Sequence, residues 1–233
     1  ILQYRIDTAA YVFDISSADP SKLYVPTFRE YLEICKKYGA KPFIELKSVG
    51  KDVIKKTIDT ALEYFAPEDI VISSSSLSLL QISYNLNRDI FCHLIWGDQT
   101  DAGYEKSIKS LSEMTDSSGQ VNAGIAFNIQ GLSDSANFDR AKSWIDKAKA
   151  ASLLTCLRAA DDMNEIRKMF ELGIDYYPTN TTSPEKLSAL GIEKKAEYAY
   201  TPSDSGKLFI RGGRRSESTL DDISITLLGG LFD

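Results

Sequence analysis

The chain has 233 residues, of which 43% are hydrophobic and 26% are charged, so it is large enough to bury a substantial core. No run approaches 18 consecutive apolar residues, and this excludes a transmembrane helix. The formal net charge of −6 argues against a general nucleic-acid binder and makes any anion-binding site a local feature.

The segment 26–47 predicts an amphipathic helix followed by a short buried strand. Thr27 stands at the N-cap position of a capping box with Glu30, and Gly39 is a C-terminal stop. In the strand, alternation places Phe43, Glu45 and Lys47 on one face, and Ile44 and Leu46 on the other. A carboxylate and an ammonium on one face of a buried strand must be paired or must bind something. Glu45 and Lys47 can therefore be interpreted either as an ion pair at the end of a core strand or as part of a functional site.

The same alternation of strands and helices continues along the chain. Apolar runs and helical spacing predict further strands at 70–73, 90–96, 121–128, 153–157 and 174–177, and helices at 52–65, 76–86, 105–114, 136–151, 163–172 and 184–190. Six strand-then-helix units indicate a parallel sheet covered by helices, which fits a closed barrel as well as an open sheet. No glycine-rich dinucleotide or phosphate-loop motif follows any strand, which disfavours a nucleotide-binding doubly wound fold. Cys35, Cys92 and Cys156 fall inside predicted elements and are expected to be buried free thiols.

Three stretches carry a resemblance to a known family. They are the helix opening Pro26-Thr27-Phe28 with the strand Ile44-Glu45-Leu46-Lys47, the strand IVISS at 70–74, and the segment MNEIRKMFELGIDYYPTN at 163–180. Together they resemble the glycerophosphodiester phosphodiesterases. The resemblance implies an α/β fold of the (β/α)8 TIM-barrel type, of which this chain represents strands three to eight.

The resemblance also implies roles for two residues. Glu45 matches a ligand to a divalent metal, Mg²⁺ or Ca²⁺, and Lys47 matches a contact to the substrate phosphate. Oxygen ligands suit these hard cations, and a lysine beside the metal neutralises a phosphodiester. The family's Thr-Asp ending is here Thr179-Asn180, which removes one carboxylate.

Motifs that the family uses for catalysis are missing from this sequence. It contains no His-Arg-Gly and no Glu-x-Asp, so no catalytic residue is identifiable in it. We therefore expect the chain to be the carboxyl-terminal part of a longer protein. The alternative is a degenerate, inactive barrel that binds a glycan or glycerol phosphate.

Three strand-end residues are candidates for substrate binding, because barrel chemistry takes place at the carboxyl ends of strands. They are Trp96, Asn128 and Arg158. For Arg158, a salt bridge to Asp161 or Asp162 is an equally open interpretation. The single histidine, His93, alternates with Trp96 and is expected to pack against the helices, whereas Ser73 and Ser74 are expected to cap the backbone.

The chain after the barrel follows a different pattern. We assign residues 1–195 to the barrel and 196–233 to a β-hairpin appendage or the start of a β-rich module, with strands at 207–211 and 223–228. This β segment is a candidate surface for homo-oligomerisation. The expected partner is a small phosphodiester or a glycerol-phosphate polymer, which favours an extracellular, surface or virion-associated location over the cytoplasm.

Overall fold

The computed structural model describes residues 26–178, apart from residues 96, 99, 159 and 161. Five strands, β1 to β5, form one parallel sheet in sequential order: Phe43–Glu45, Val71–Ser74, Phe91–Ile95, Ala123–Phe127 and Leu154–Leu157. Helices α1 to α6 are Phe28–Lys37, Lys51–Leu62, Leu77–Leu86, Asp101–Ser112, Ser135–Ala150 and Met163–Glu171, and a 3-10 turn spans Pro67–Asp69. The parallel sheet and its alternating helices confirm the predicted fold class.

Local signals set the limits of the helices. The predicted capping box is present, because the Thr27 amide donates to Glu30 Oε2 at 2.7 Å and the Glu30 amide donates to Thr27 Oγ1 at 3.3 Å. Gly39 and Gly173 adopt φ of 65° and 68° just beyond α1 and α6, where the left-handed region favours glycine. No helix in the described part of the chain is long and apolar enough to cross a membrane.

The main core lies between the sheet and the helices. On this side the strands contribute alternate residues, namely Ile44, Ile72, Leu94 and Ile125, and Leu46 joins them just after β1. The helices contribute Leu32, Ile58, Leu80, Leu111 and Trp144. The opposite, inner face of the sheet has a much smaller apolar cluster, Val71 and Phe91, with Phe43 and Leu154 packed against it. The two faces of the sheet are therefore packed very differently.

The predicted sixth strand is reduced to a single bridge. Tyr176 pairs with Cys156 in parallel, and the Asp175 amide donates to the Thr155 carbonyl at 2.9 Å. The Asp175 carboxylate also accepts from the amide and the hydroxyl of Thr155, both at 2.8 Å. These bonds hold the segment beside β5 without a longer ladder in the described residues.

All three cysteines are buried free thiols, as expected. Cys35 lies on α1, and Cys92 lies on the helix side of β3. Cys156 lies two residues after the inner-face residue Leu154 on β5, so the two share a face. Burial raises the thiol pKa to about 11 for Cys35 and about 12 for Cys92, and raises that of Cys156 further.

The remaining expectations of the sequence lie outside the described residues. They concern the helix at 184–190, the departure at Thr179-Asn180, the domain boundary at 195 and 196, and the two strands of the β appendage.

Candidate functional site

The predicted alternation of β1 is confirmed. Ile44 and Leu46 are buried in the main core, whereas Phe43 belongs to the inner-face cluster and Glu45 and Lys47 are exposed. The ladder to β2 continues past Glu45, since the Leu46 amide donates to the Ser73 carbonyl at 2.7 Å. Glu45 and Lys47 therefore follow Phe43 on the inner face, at the carboxyl end of the strand.

Two serines on β2 support the end of β1. The buried Ser74 hydroxyl donates to the Leu46 carbonyl at 2.6 Å and accepts from the Ser76 amide at 3.1 Å. The buried Ser73 hydroxyl donates to the Ile44 carbonyl at 3.4 Å. The expectation that these hydroxyls serve the backbone is confirmed, and the backbone that they hold carries Glu45 and Lys47.

His93 does not pack against the helices, and that expectation was wrong. Its imidazole lies on the inner face, in an edge-to-face contact with Phe43 at 5.2 Å between ring centroids, and its Nδ1 is hydrogen-bonded to the Tyr176 hydroxyl. The wrong face came from the premise that Trp96 faces the barrel mouth, whereas Cys92 and Leu94 lie in the main core and alternation within β3 therefore places His93 on the inner face. Burial lowers the pKa of His93 to about 3 and raises that of the Tyr176 hydroxyl well above its usual value.

A missing side chain on β4 makes room for the Tyr176 hydroxyl. A Cβ at Gly124 would lie 2.7 Å from this hydroxyl and 2.8 Å from Phe91 Cζ. His93 and Gly124 are register partners on neighbouring strands. Phe43, His93 and Tyr176, with Gly124 beneath the hydroxyl, form what we call the inner floor. Sequence reasoning missed this cluster, although a glycine inside a strand is a known signal for close approach of another group.

Asn128 and Arg158 follow the ends of β4 and β5. Phe127 pairs with Leu157, and the Arg158 amide donates to the Phe127 carbonyl at 3.0 Å, which extends the ladder by one residue. The same register brings Asn128 beside Arg158, and both residues are half-buried.

Asp162, one alternative partner of Arg158, accepts from the amides of Asn164 and Glu165 and caps α6. Asp161 and the third predicted residue, Trp96, lie outside the described residues.

The described residues do not make a complete metal site. Within residues 26–178, less the four positions named above, no group of three or more His, Cys, Asp and Glu side chains could hold a metal ion. Glu45 supplies one carboxylate at the place where the resemblance expects a ligand, but Mg²⁺ and Ca²⁺ require several oxygen ligands. These residues alone therefore do not fit such a cation.

Comparison with solved structures identifies the architecture. Over 72% of this chain, the model aligns with a glycerophosphodiester phosphodiesterase from Parabacteroides distasonis at 16% identity and a TM-score of 0.55. A putative glycerophosphoryl diester phosphodiesterase from Silicibacter pomeroyi gives the same identity and TM-score over 73% of this chain. The fold is that of the glycerophosphodiester phosphodiesterases. The resemblance seen in the sequence is thus supported by structures of that family.

A second kind of phosphodiesterase also aligns with this chain. The PaMucR phosphodiesterase, solved in complex with c-di-GMP, aligns over 64% of this chain with 12% identity and a TM-score of 0.50. The chain spans 64%, 58% and 66% of these three structures, in the order described, and so covers less than two thirds of each.

No family model matches the sequence. No curated protein sequence matches it either.

Proposed function

We propose that this chain forms part of a metal-dependent phosphodiester hydrolase that acts on glycerophosphodiesters or on a glycerol-phosphate polymer. One observation carries the proposal: Glu45 and Lys47 are exposed at the carboxyl end of β1, and alternation with the buried Ile44 and Leu46 assigns both to the inner face of a phosphodiesterase-type fold. In barrels of parallel strands this end holds the reaction site. The similarity to two kinds of phosphodiesterase supports a phosphodiester as the substrate.

The two side chains have different roles in this proposal. The Lys47 ammonium binds a non-bridging phosphate oxygen and offsets the charge that grows there as the diester is cleaved. Glu45 alone would repel an anionic substrate, so its carboxylate is proposed as one ligand of a divalent cation, Mg²⁺ or Ca²⁺. The other ligands must come from outside the described residues, since these contain no sufficient group. Such a cation, if bound there, would supply Lewis-acid stabilisation of phosphoryl oxygens.

A second candidate function is an inactive barrel that binds a glycan or glycerol phosphate without cleaving it. The observation that favours it is that the described residues contain no group of three or more candidate metal ligands and no histidine accessible to substrate, because His93 is only 3% exposed. Binding without product release would distinguish this module from the hydrolase.

The test is calorimetric binding of glycerophosphoglycerol to the full chain, with and without Mg²⁺ or Ca²⁺. Lys47→Gln should weaken binding about tenfold or more, because a hydrogen bond to a charged group is lost. Lys56→Gln, at another exposed lysine, is the matched control and should bind as the wild type does. A divalent cation should strengthen binding in the wild type, and Glu45→Gln should lose that gain.

Release of glycerol phosphate from the same samples separates the two functions. Cation-dependent release supports the hydrolase, and tight binding without release supports the binding module. The proposal of a phosphodiester site fails if the wild type binds no glycerophosphodiester, or if Lys47→Gln and Lys56→Gln behave alike.

A further inference from the structure

Two peptide groups at the end of β1 lead directly into the residues of the proposed site. The Ile44 carbonyl belongs to the peptide group that precedes Glu45. The Leu46 carbonyl belongs to the peptide group that precedes Lys47. A peptide group is planar, so a bond that fixes its carbonyl also fixes the amide of the next residue. Serine hydroxyls of β2 donate to both carbonyls, and each therefore acts on the backbone from which one side chain of the site projects.

The two serine bonds differ in length. The Ser74 hydroxyl lies 2.6 Å from the Leu46 carbonyl oxygen, within the usual range of about 2.5–3.0 Å. The Ser73 hydroxyl lies 3.4 Å from the Ile44 carbonyl oxygen and is a weak donor to it. Ile44 is also paired with β2 inside the ladder, whereas Leu46 follows the last residue of β1. The sheet itself thus holds the first peptide group, and the Ser74 hydroxyl holds the second.

The Ser74 hydroxyl has a defined orientation. It accepts a hydrogen bond at 3.1 Å from the amide of Ser76, the residue that precedes α3. A serine hydroxyl has a single hydrogen, and with its acceptor side engaged this hydrogen points at the Leu46 carbonyl. One buried group therefore joins the end of β1 to the start of α3.

Ser74 does not reach a ligand on the inner face. It is fully buried, with 0% of its surface exposed. On β2, Val71 lies in the inner-face cluster and Ile72 lies in the main core, so alternation places Ser74 on the helix side. Any effect of this hydroxyl on ligand binding must therefore pass through the backbone at the end of β1.

Lys47 is the side chain that depends most on this support. It is exposed and lies beyond the last residue of β1. A lysine ammonium stands on a flexible four-carbon stem, so its position is defined only as well as the backbone beneath it. When that backbone is not held, more order has to be gained on binding, and the affinity falls.

We propose that Ser74 is a positioning residue for Lys47, because its buried hydroxyl holds the peptide group from which the lysine projects toward the phosphate. The inference rests on the function proposed above. It deepens that function by naming the group that sets the position of the phosphate-binding lysine from the opposite face of the sheet. Glu45 does not share this dependence, since its peptide group is held within the ladder.

Calorimetric binding of glycerophosphoglycerol to the full chain tests this role. Ser74→Ala should weaken binding about threefold to tenfold, the effect of having to immobilise one flexible side chain. In a Lys47→Gln background the same substitution should change the affinity by less than about twofold, because the side chain through which Ser74 acts is gone. The gain in affinity on adding Mg²⁺ or Ca²⁺, which is assigned to Glu45, should be as large in Ser74→Ala as in the wild type.

The matched control is Ser83→Ala. Ser83 is also fully buried, and its hydroxyl donates to the Leu79 carbonyl within α3 at 2.9 Å. This variant loses a buried hydroxyl of the same kind and should bind the probe as the wild type does. Ser74→Thr keeps the hydroxyl and should retain most of the wild-type affinity.

A further variant guards against loss of folding in Ser74→Ala. Ser74→Cys has a side chain of similar size but only a weak donor, so it should weaken binding as alanine does. Far-UV circular dichroism and the melting temperature verify that each variant is folded. Wild-type affinity in both Ser74→Ala and Ser74→Cys, or an equal loss in the wild-type and Lys47→Gln backgrounds, overturns the positioning role and leaves the proposed function intact. If the wild type does not bind the probe, or if Lys47→Gln binds it equally well, both fail.

Discussion

The two faces of the sheet show how one set of strands serves two purposes. On the helix side, large aliphatic side chains are buried in a continuous core. On the inner face the apolar cluster is small, and the row of register partners that crosses it reads Glu45, Ser73, His93 and Gly124. Because burial of apolar area is the main source of stability, the helix side holds the fold together. The inner face is thereby free to carry polar groups, which would be costly in a dry core.

The sharpest test of this contrast uses two neighbours on β2. Ile72 is fully buried on the helix side, and Val71 is buried in the inner-face cluster. Ile72→Ala should lower the free energy of unfolding by about 3–4 kcal/mol, through lost burial and the cavity left behind. Val71→Ala should cost about 2 kcal/mol or less, since it removes fewer methyl groups from a smaller cluster. Urea denaturation measures both, and a larger loss for Val71→Ala would contradict the division of roles.

A second prediction concerns the packing of the inner floor. Gly124→Ala places a methyl group 2.7 Å from the Tyr176 hydroxyl and 2.8 Å from Phe91 Cζ. We expect a loss of about 2–3 kcal/mol, as for other overpacked sites. In a Tyr176→Phe background the same substitution should cost less, because the clashing hydroxyl is gone. A double-mutant cycle without such coupling would show that Tyr176 does not occupy the space above Gly124.

The smallest expected effect is a dependence of stability on pH. The pKa of His93 is about 3 in the folded protein and about 6.5 when exposed, so the unfolded chain binds the proton more readily between these values. Stability is therefore fully present above pH 6.5 and is lost as the pH falls. The free energy of unfolding should drop by about 1.5 kcal/mol from pH 6.5 to pH 5.

The control for this pH dependence is His93→Gln, which retains a polar group at the position but cannot titrate. Since His93 is the only histidine in the sequence, this variant should have a flatter profile between pH 5 and 6.5. Urea denaturation across this range measures both proteins. Equal slopes in the two proteins would mean that His93 is accessible to solvent and that the inner floor is open.

Helical spacing predicted the helices and alternation predicted β1, whereas β2 to β5 are buried on both faces and were predicted from short apolar runs. The alternation of Phe43 and Glu45 with Ile44 and Leu46 was read correctly, and the capping box at Thr27 placed the start of α1. Limits of elements were less accurate: α4 begins at Asp101, four residues before its predicted start. Thr100 caps this helix from a polar loop whose composition gave no helical period.

The candidate site was predictable only in part, since contacts between distant strands leave little local trace. Glu45 and Lys47 were found through one strand and its resemblance to a family. The contact between His93 and Tyr176 joins residues that are 83 positions apart, and no local pattern encodes it. The sequence signal for this contact is Gly124, a glycine inside a strand. The glycine alone does not indicate which group approaches it, and only the structure identifies that group as the Tyr176 hydroxyl.

The three buried thiols give this molecule built-in reporters of local opening. They lie in different layers: Cys35 on α1, Cys92 between the sheet and the helices, and Cys156 on β5. A thiol reagent can react with each of them only when its layer opens to solvent. Variants that keep one cysteine at a time would therefore allow labelling rates to compare three opening events within a single chain. Ligand binding at the inner face should slow the labelling of Cys156 more than that of Cys35.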